Sequence, residues 1–173
     1  MAIERARAHL AQFGLADKIV EFETSSATVE LAAAAAGVAP GRIAKTLSLA
    51  TPSGPILVVA AGDARIDNTA YRRQFGLKAR FVPGDQVEGL IGHAVGGVCP
   101  FGVNPGVGVF LDESLRRFDV VYPAAGNDRS SIGLTLAELE RAAAPVGWVE
   151  VTTYPGSDWA APTPEAPPAT EPV

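Results

Sequence analysis

The chain has 173 residues, of which 47% are hydrophobic and 19% are charged, and these values are typical of one globular domain with at most a small appendage. Fourteen Lys and Arg against nineteen Asp and Glu give a formal net charge of −5, which excludes a polycation that coats nucleic acid non-specifically. A lone cysteine excludes an internal disulfide and a cysteine-rich zinc site, and without a signal-peptide pattern or an apolar run of membrane-spanning length we expect a cytoplasmic protein.

The first half of the chain predicts, in order, a helix, a strand, a second helix, two strands and a third helix, over 3–13, 18–23, 27–36, 46–50, 56–61 and 67–76. Ser26 is expected to cap the second helix, which ends at Gly37, and Asp67 to cap the third, which ends at Gly76. The Pro- and Gly-containing segment 51–55 predicts a hairpin turn between the two strands.

The second half predicts, in order, a strand, a short helix, three strands and a helix, over 79–82, 83–90, 109–111, 120–122, 132–135 and 136–144. The segment 148–152 then closes the domain, and a stretch with seven glycines in twenty residues covers 89–108. Helices and strands thus alternate irregularly around at least one tight hairpin. This order favours an α+β fold with a mixed sheet over a regular doubly wound fold.

The composition changes abruptly at Tyr154. From there to Val173 the chain carries six of its fourteen prolines and no lysine or arginine. Such a segment buries too little apolar surface to offset the entropy of ordering it. We therefore expect a folded domain over 1–153 and a disordered Pro/Ala-rich tail over 154–173.

Two segments carry candidate chemistry. Lys45 opens an apolar strand, where a lysine is either a solvated strand end or an ammonium at a pocket rim that contacts a phosphate or a ribose hydroxyl. The glycine-rich segment 92–102 contains Gly96, Gly97 and Pro100. Such a loop is either an ordinary turn or a device that directs backbone N–H groups at an oxyanion or a polarised carbonyl.

Cys99 and His93 lie close together in the same loop and permit a thiol-nucleophile hypothesis. The alternative is a small buried thiol beside a loop histidine, because no carboxylate that would orient the histidine can be identified. With one cysteine and two histidines in the chain, a metal site is not expected.

The segment 65–80 has a clear positive excess, with five basic residues against the single acid Asp67. It is either the solvated face of a helix or a phosphate-contacting patch, in which Tyr71 stacks on a base or packs in the core. The polar segment 122–133 contains the Gly126-Asn127 pair of a β-turn. Its side chains and amides are candidates for the lining of a pocket mouth.

Three segments in this order and spacing, 44–47, 92–102 and 118–126, resemble the YbaK family of aminoacyl-tRNA deacylases, which is related to the editing insertion of bacterial prolyl-tRNA synthetase. The resemblance covers residues 15–145. It implies a mixed, partly barrel-like sheet surrounded by helices. It also implies hydrolysis of the ester that joins a wrong amino acid to the 3′ end of a tRNA.

The resemblance also implies roles for individual residues. Lys45 is expected to bind and orient the terminal adenosine, and the loop over 96–100 to present backbone N–H groups to the ester carbonyl. The catalytic set is then Lys45, Gly96, Gly97, Val98, Cys99 and Pro100. The substrate-binding set is Phe22, Thr28, His93, Phe101, Gly126, Asn127 and Ser130. The tRNA-binding set is Arg65, Arg72, Arg73, Lys78 and Arg80.

The resemblance therefore implies a trans-editing hydrolase that removes a small amino acid from a mischarged tRNA, in the first place from a proline tRNA. The expected partner is the acceptor end of an aminoacylated tRNA, with a synthetase or an elongation factor as a further candidate. No cofactor, DNA or membrane contact is expected. Two alternatives stay open: a catalytically silent tRNA- or synthetase-binding module, and a Cys99-dependent hydrolase of a non-tRNA ester.

Overall fold

The structure is a computed structural model in which residues 2–157 are described. These residues form five α-helices: α1 (Ala2–Ala11), α2 (Val29–Ala36), α3 (Asn68–Phe75), α4 (Gly84–Ile91) and α5 (Leu136–Ala143). They also form ten short strands: β1 (Ile19–Glu21), β2 (Ile43–Thr51), β3 (Gly54–Ala61), β4 (Arg65–Ile66), β5 (Gly108–Asp112), β6 (Val120–Pro123), β7 (Ser130–Ile132), β8 (Leu134–Thr135), β9 (Gly147–Val149) and β10 (Thr152–Thr153).

A six-stranded mixed sheet in the order β8-β6-β2-β3-β5-β9 forms the centre of the fold. The β2–β3 hairpin is antiparallel, whereas β6 runs parallel to β2, and β5 runs parallel to β3. The sheet curls into a half-barrel, and two two-stranded ribbons, β1–β7 and β4–β10, lie outside it. The predicted α+β fold with a mixed, partly barrel-like sheet is confirmed.

Two hydrophobic clusters cover the central hairpin. The larger cluster joins α1, α2 and α5 to the sheet through side chains such as Leu10, Ile43 and Leu111. The smaller cluster packs Leu47 and Tyr71 against their neighbours from α3 and the C-terminal strands. Because successive side chains of a strand point to opposite faces, β2 contributes to both clusters and is buried on both sides.

Local sequence signals explain most helix ends. Asp67 accepts a hydrogen bond from the Ala70 N–H, 2.7 Å away, and caps α3 as predicted. Thr28, rather than the predicted Ser26, caps α2, since its hydroxyl accepts from the Leu31 N–H. The Ser26 hydroxyl instead accepts a hydrogen bond from the Ser130 N–H at 3.1 Å.

Two predicted strands differ from the structure. The run over 79–82 makes a single bridge, between Phe81 and Leu49. The run over 132–135 is divided at Gly133 into β7 and β8, which belong to different sheets. A Cβ at Gly133 would lie 2.9 Å from the ring of Tyr122, so glycine permits this close crossing.

A buried carboxylate of β5 connects the C-terminal end of the described chain to the central sheet. Asp112 is fully buried and accepts hydrogen bonds from the Ser114 and Val151 N–H groups and from the Thr152 hydroxyl. Tyr154 then stacks on the guanidinium of Arg117, 4.5 Å from the ring centre. Ordered contacts therefore extend past 153 to 157, and the rest of the predicted tail, 158–173, lies outside the described residues.

Candidate active site

Lys45 is buried inside β2 rather than at a solvated rim. It is the third residue of the strand, and only 1% of its surface is exposed. Its ammonium donates hydrogen bonds to the backbone carbonyls of Ala64, at 2.5 Å, and Gly62, at 3.5 Å. A buried charge is tolerated where such partners replace water, so this lysine is fixed in position.

The turn that holds Lys45 is itself held by an arginine. Asp63 lies between Gly62 and Ala64, whose carbonyls accept from Lys45, and it forms a two-point ion pair with Arg117, with N–O distances of 2.5 and 3.1 Å. The Arg117 guanidinium lies over the rings of Phe118 and Tyr154, 4.8 and 4.5 Å from their centres. Its Nε donates to the Ser114 carbonyl. The ion pair, the two ring contacts and the carbonyl contact together hold the planar Arg117 guanidinium in one orientation. Sequence reasoning missed Asp63 and Arg117, since ordinary charged residues carry no signal.

The glycines of the 96–100 loop serve two different purposes. Gly96 has φ +94°, a conformation that other residues rarely adopt. Gly97 permits a close approach: a Cβ there would lie 2.5 Å from Asn127 Cα and 2.6 Å from its N. We predicted that glycines in this loop let its backbone approach a ligand. In the structure, Gly97 instead lets the backbone approach the neighbouring turn at Asn127.

The backbone N–H groups of this loop are largely unpaired. Gly97 donates to the Ala94 carbonyl at 3.0 Å, so the expectation that it faces a substrate is corrected. Within the described residues, by contrast, the N–H groups of Gly96, Val98 and Cys99 donate to no acceptor, although all three residues are buried. Buried backbone donors are rarely left unpaired, so the loop is suited to bind an oxygen atom.

Two further segments form one wall with the loop. The Phe22 N–H donates to the Arg129 carbonyl at 2.7 Å, and the Ser26 N–H donates to the Asp128 carbonyl at 2.6 Å. Ala27 and Asp128 both lie against Gly96, 3.3 and 3.4 Å from where its Cβ would be. The structure therefore brings the predicted segments 22–28, 96–100 and 126–130 together.

The wall is connected to the lysine through α2. Gly62, whose carbonyl accepts from Lys45, leaves no room for a Cβ beside Pro40 and the Val29 side chain. Val29 is the first residue of α2, and Ala27, two residues earlier, contacts Gly96. The predicted substrate residue Thr28 lies between them, but its hydroxyl is used as the cap of α2.

Three predicted loop side chains point into the core. His93, Cys99 and Phe101 are fully buried, so the side chains of His93 and Phe101, two residues predicted to bind substrate, face the core. His93 Nε2 lies 2.6 Å from the Phe101 carbonyl, which requires the proton on Nε2. Burial lowers the pKa of His93, and this neutral ring has no lone pair on Nε2 to accept a proton from Cys99, 3.5 Å away.

The Cys99 thiol is correspondingly unsuited to attack a substrate. Burial raises its pKa to about 12, which leaves it protonated at neutral pH. Its Sγ lies 3.7 Å from the Phe101 carbonyl, an acceptor for the thiol proton. The side chain of Cys99 therefore packs in the core, and only its backbone N–H is available to the candidate site.

The predicted basic residues lie on the surface before, along and after α3. Arg72 and Arg73 are on the helix, and all five side chains are exposed, the others being Arg65, Lys78 and Arg80. Tyr71 is fully buried, so its alternative as a base-stacking residue is excluded and it packs in the smaller cluster. Its burial raises the pKa of the phenol.

No group of three or more His, Cys, Asp or Glu side chains among residues 2–157 is arranged to hold a metal ion. In the same part of the chain, none of the helices has the length and apolar character needed to span a membrane.

Comparison with known proteins gives one consistent match. The family model of the aminoacyl-tRNA editing domain matches residues 23–142. The uncharacterised protein YwhH of Bacillus subtilis (strain 168) is 45% identical over 160 residues, which cover 92% of this chain and 99% of that protein.

Solved structures agree with this match. A proposed trans-editing enzyme for prolyl tRNA synthetase superposes with a TM-score of 0.79 at 29% identity, covering 88% of this chain and 97% of that one. A scaffold used for computational epitope grafting superposes with a TM-score of 0.78 at 28% identity, with the same coverage.

Proposed function

The chain belongs to the aminoacyl-tRNA editing domain family, and from this premise we propose that it hydrolyses the ester between a wrong amino acid and the 3′ end of a tRNA. The observation that carries the proposal is that three buried residues, Gly96, Val98 and Cys99, have backbone N–H groups with no acceptor within residues 2–157. These donors are suited to stabilise the negative charge that develops on an ester carbonyl oxygen.

The proposed reaction needs no protein nucleophile, because an aminoacyl ester is already activated. A water oxygen attacks the carbonyl carbon, and the carbonyl oxygen takes negative charge at the loop. The bond to the ribose oxygen then breaks, and that oxygen leaves as the hydroxyl with the proton that the attacking water gives up. Lys45 would bind and orient the terminal adenosine, so that catalysis rests on positioning and electrostatics.

We propose a small amino acid as the group released, in the first place from a proline tRNA. A synthetase pocket rejects a smaller or isosteric amino acid by only about 1–3 kcal/mol per methylene, so a second site is needed for accuracy. The close packing of Gly97 on Asn127 favours a narrow pocket. The likeness to a proposed trans-editing enzyme for prolyl tRNA synthetase supports the tRNA assignment.

The exposed basic residues between 65 and 80 are proposed to contact tRNA phosphates. Because few phosphates are neutralised by five side chains, binding should be weak and should fall as salt rises. In this proposal the protein works in the cytoplasm, where charged tRNA is found, with a synthetase or an elongation factor as a further candidate partner.

The proposal predicts release of amino acid from mischarged tRNA by the purified protein. Proline tRNA charged with alanine, cysteine or proline is the first panel, and the same amino acids on other tRNAs complete it. Release of a small amino acid, with correctly charged tRNA left intact, is the expected result. Binding without release from any tRNA would support the silent binding module instead.

Cys99→Ala separates the proposed mechanism from a thiol hydrolase. Because the Cys99 side chain is buried and protonated, turnover should stay within about twofold of wild type, while the lost packing lowers the free energy of unfolding by about 1–2 kcal/mol. Steady-state deacylation and thermal unfolding give the two readouts. Loss of all turnover in a normally folded variant would favour the Cys99-dependent hydrolase.

A further inference from the structure

Phe81 is an exposed aromatic side chain that the proposed site does not use. It is 51% exposed, although a phenylalanine on the surface of a monomer loses the benefit of burial. It directly follows the basic segment, next to Arg80 and three residues after Lys78. The one acid of that segment, Asp67, is engaged as the cap of α3, so the exposed charged side chains that most closely precede Phe81 in the sequence are basic.

The backbone around Phe81 is held firmly. The Ala50 N–H donates to the Arg80 carbonyl at 2.7 Å, and the Val82 N–H donates to the Ser48 carbonyl at 3.0 Å. Phe81 itself bridges to Leu49. These contacts lie on the edge of β2 that β6 occupies at Ile43 and Ala44, so the exposed ring is presented from a fixed position.

Phe81 also lies near the candidate active site. Gly84, three residues later, has its Cβ position 3.8 Å from the side chain of Val95, which is 47% exposed and immediately precedes Gly96. Along β2, the four residue steps from Leu49 to Lys45 span about 13 Å. Four steps between successive stacked nucleotides, at roughly 3.4 Å each, cover the same length.

We propose that Phe81 is a stacking platform for an unpaired base that precedes the terminal adenosine of the tRNA, a role that rests on the proposed function. Proteins that bind single-stranded nucleic acid combine aromatic rings with nearby cations, because every base offers a π-face and every nucleotide a phosphate. Phe81 with Lys78 and Arg80 has this composition. The exposed basic residues that precede Phe81 in the sequence favour this occupant over an apolar protein surface.

The direct test measures binding of uncharged RNA hairpins, with and without a four-nucleotide 3′ overhang, by fluorescence anisotropy at low salt. Phe81→Leu keeps an apolar side chain but removes the ring, and it should weaken binding of the overhang hairpin about tenfold. Phe81→Trp should restore it, and the blunt hairpin should bind wild type and Phe81→Leu equally. Val146→Ala, at a 71% exposed apolar residue outside this segment, is the matched control and should change nothing.

Kinetics provide the second test. Phe81→Leu should raise KM for a mischarged tRNA, leave kcat unchanged, and leave hydrolysis of an aminoacyl-adenosine without upstream nucleotides unchanged. Equal binding of the overhang hairpin by wild type and Phe81→Leu would overturn the proposal. Equal losses of activity on the tRNA and on the aminoacyl-adenosine would also overturn it. So would a protein partner whose binding requires Phe81 when RNA binding does not. If wild type hydrolyses no ester, the proposed function fails, and the hairpin measurement still decides the role of Phe81.

Discussion

Replacing Lys45 by alanine is expected to lower the rate of deacylation about 10²- to 10³-fold, the range typical of losing one preorganised electrostatic contact. The ammonium is held by the Ala64 and Gly62 carbonyls, so no neighbouring side chain moves into its place without rebuilding the turn. Single-turnover release of amino acid from a mischarged tRNA is the measurement.

Two further variants distinguish a loss of catalysis from a folding defect. Lys45→Met keeps the long apolar stem and removes only the charge, so it should fold and should be as inactive as Lys45→Ala. Lys18→Ala removes a lysine whose side chain is 47% exposed and pairs with Glu138 on the surface, and its activity should equal that of wild type. Retained activity in Lys45→Met would contradict the assignment of this residue.

Replacing Gly97 by alanine is expected to damage both stability and activity. The new Cβ would lie 2.5 Å from Asn127 Cα, and backbone atoms cannot rotate away as a side chain does. The loop and the turn must separate, which lowers the free energy of unfolding by about 1–3 kcal/mol and displaces the N–H groups of Val98 and Cys99. Denaturant unfolding and the deacylation assay measure the two effects.

Gly89→Ala is the matched control for this prediction. Gly89 lies in α4, its Cβ position has no neighbour within 4 Å, and alanine there should stabilise the helix by about 0.5–1 kcal/mol. If Gly97→Ala were as stable and as active as wild type, the packing of this loop on Asn127 would have no role in shaping the site.

The helices were predictable because their signals are local. Asp67 and Gly76 bound α3 as expected, since a cap and a left-handed glycine act within a few residues of one another. The choice between Ser26 and Thr28 as the cap of α2 was not local. Ser26 binds the Ser130 N–H, a partner 104 residues away that no helix-capping rule includes.

The site was predictable in its segments but less so in the role of each atom. The family resemblance indicated functional roles for Lys45 and the 96–100 loop, whereas the local sequence around each allowed either a functional or a structural role. Burial then changed their meaning: Lys45 contacts carbonyls inside the fold, and the side chains of His93 and Phe101 face the core. Which N–H group of a loop is already paired depends on turn geometry, so the sequence alone does not show that the Gly97 N–H donates to the Ala94 carbonyl.

The N-terminal helix has a consequence for how the domain is to be divided. A Cβ at Gly126 would lie 2.5 Å from the Ala2 carbonyl, and one at Gly102 would lie 2.7 Å from the Arg5 carbonyl, so α1 packs against the start of the 126–130 segment and against the chain just after the 96–100 loop. The family match begins only at residue 23 and ends at 142, before the edge strand β9. A fragment cut at those limits would lose α1, which packs against the site, and one strand of the central sheet, so the segment that the family model matches is smaller than the unit that folds.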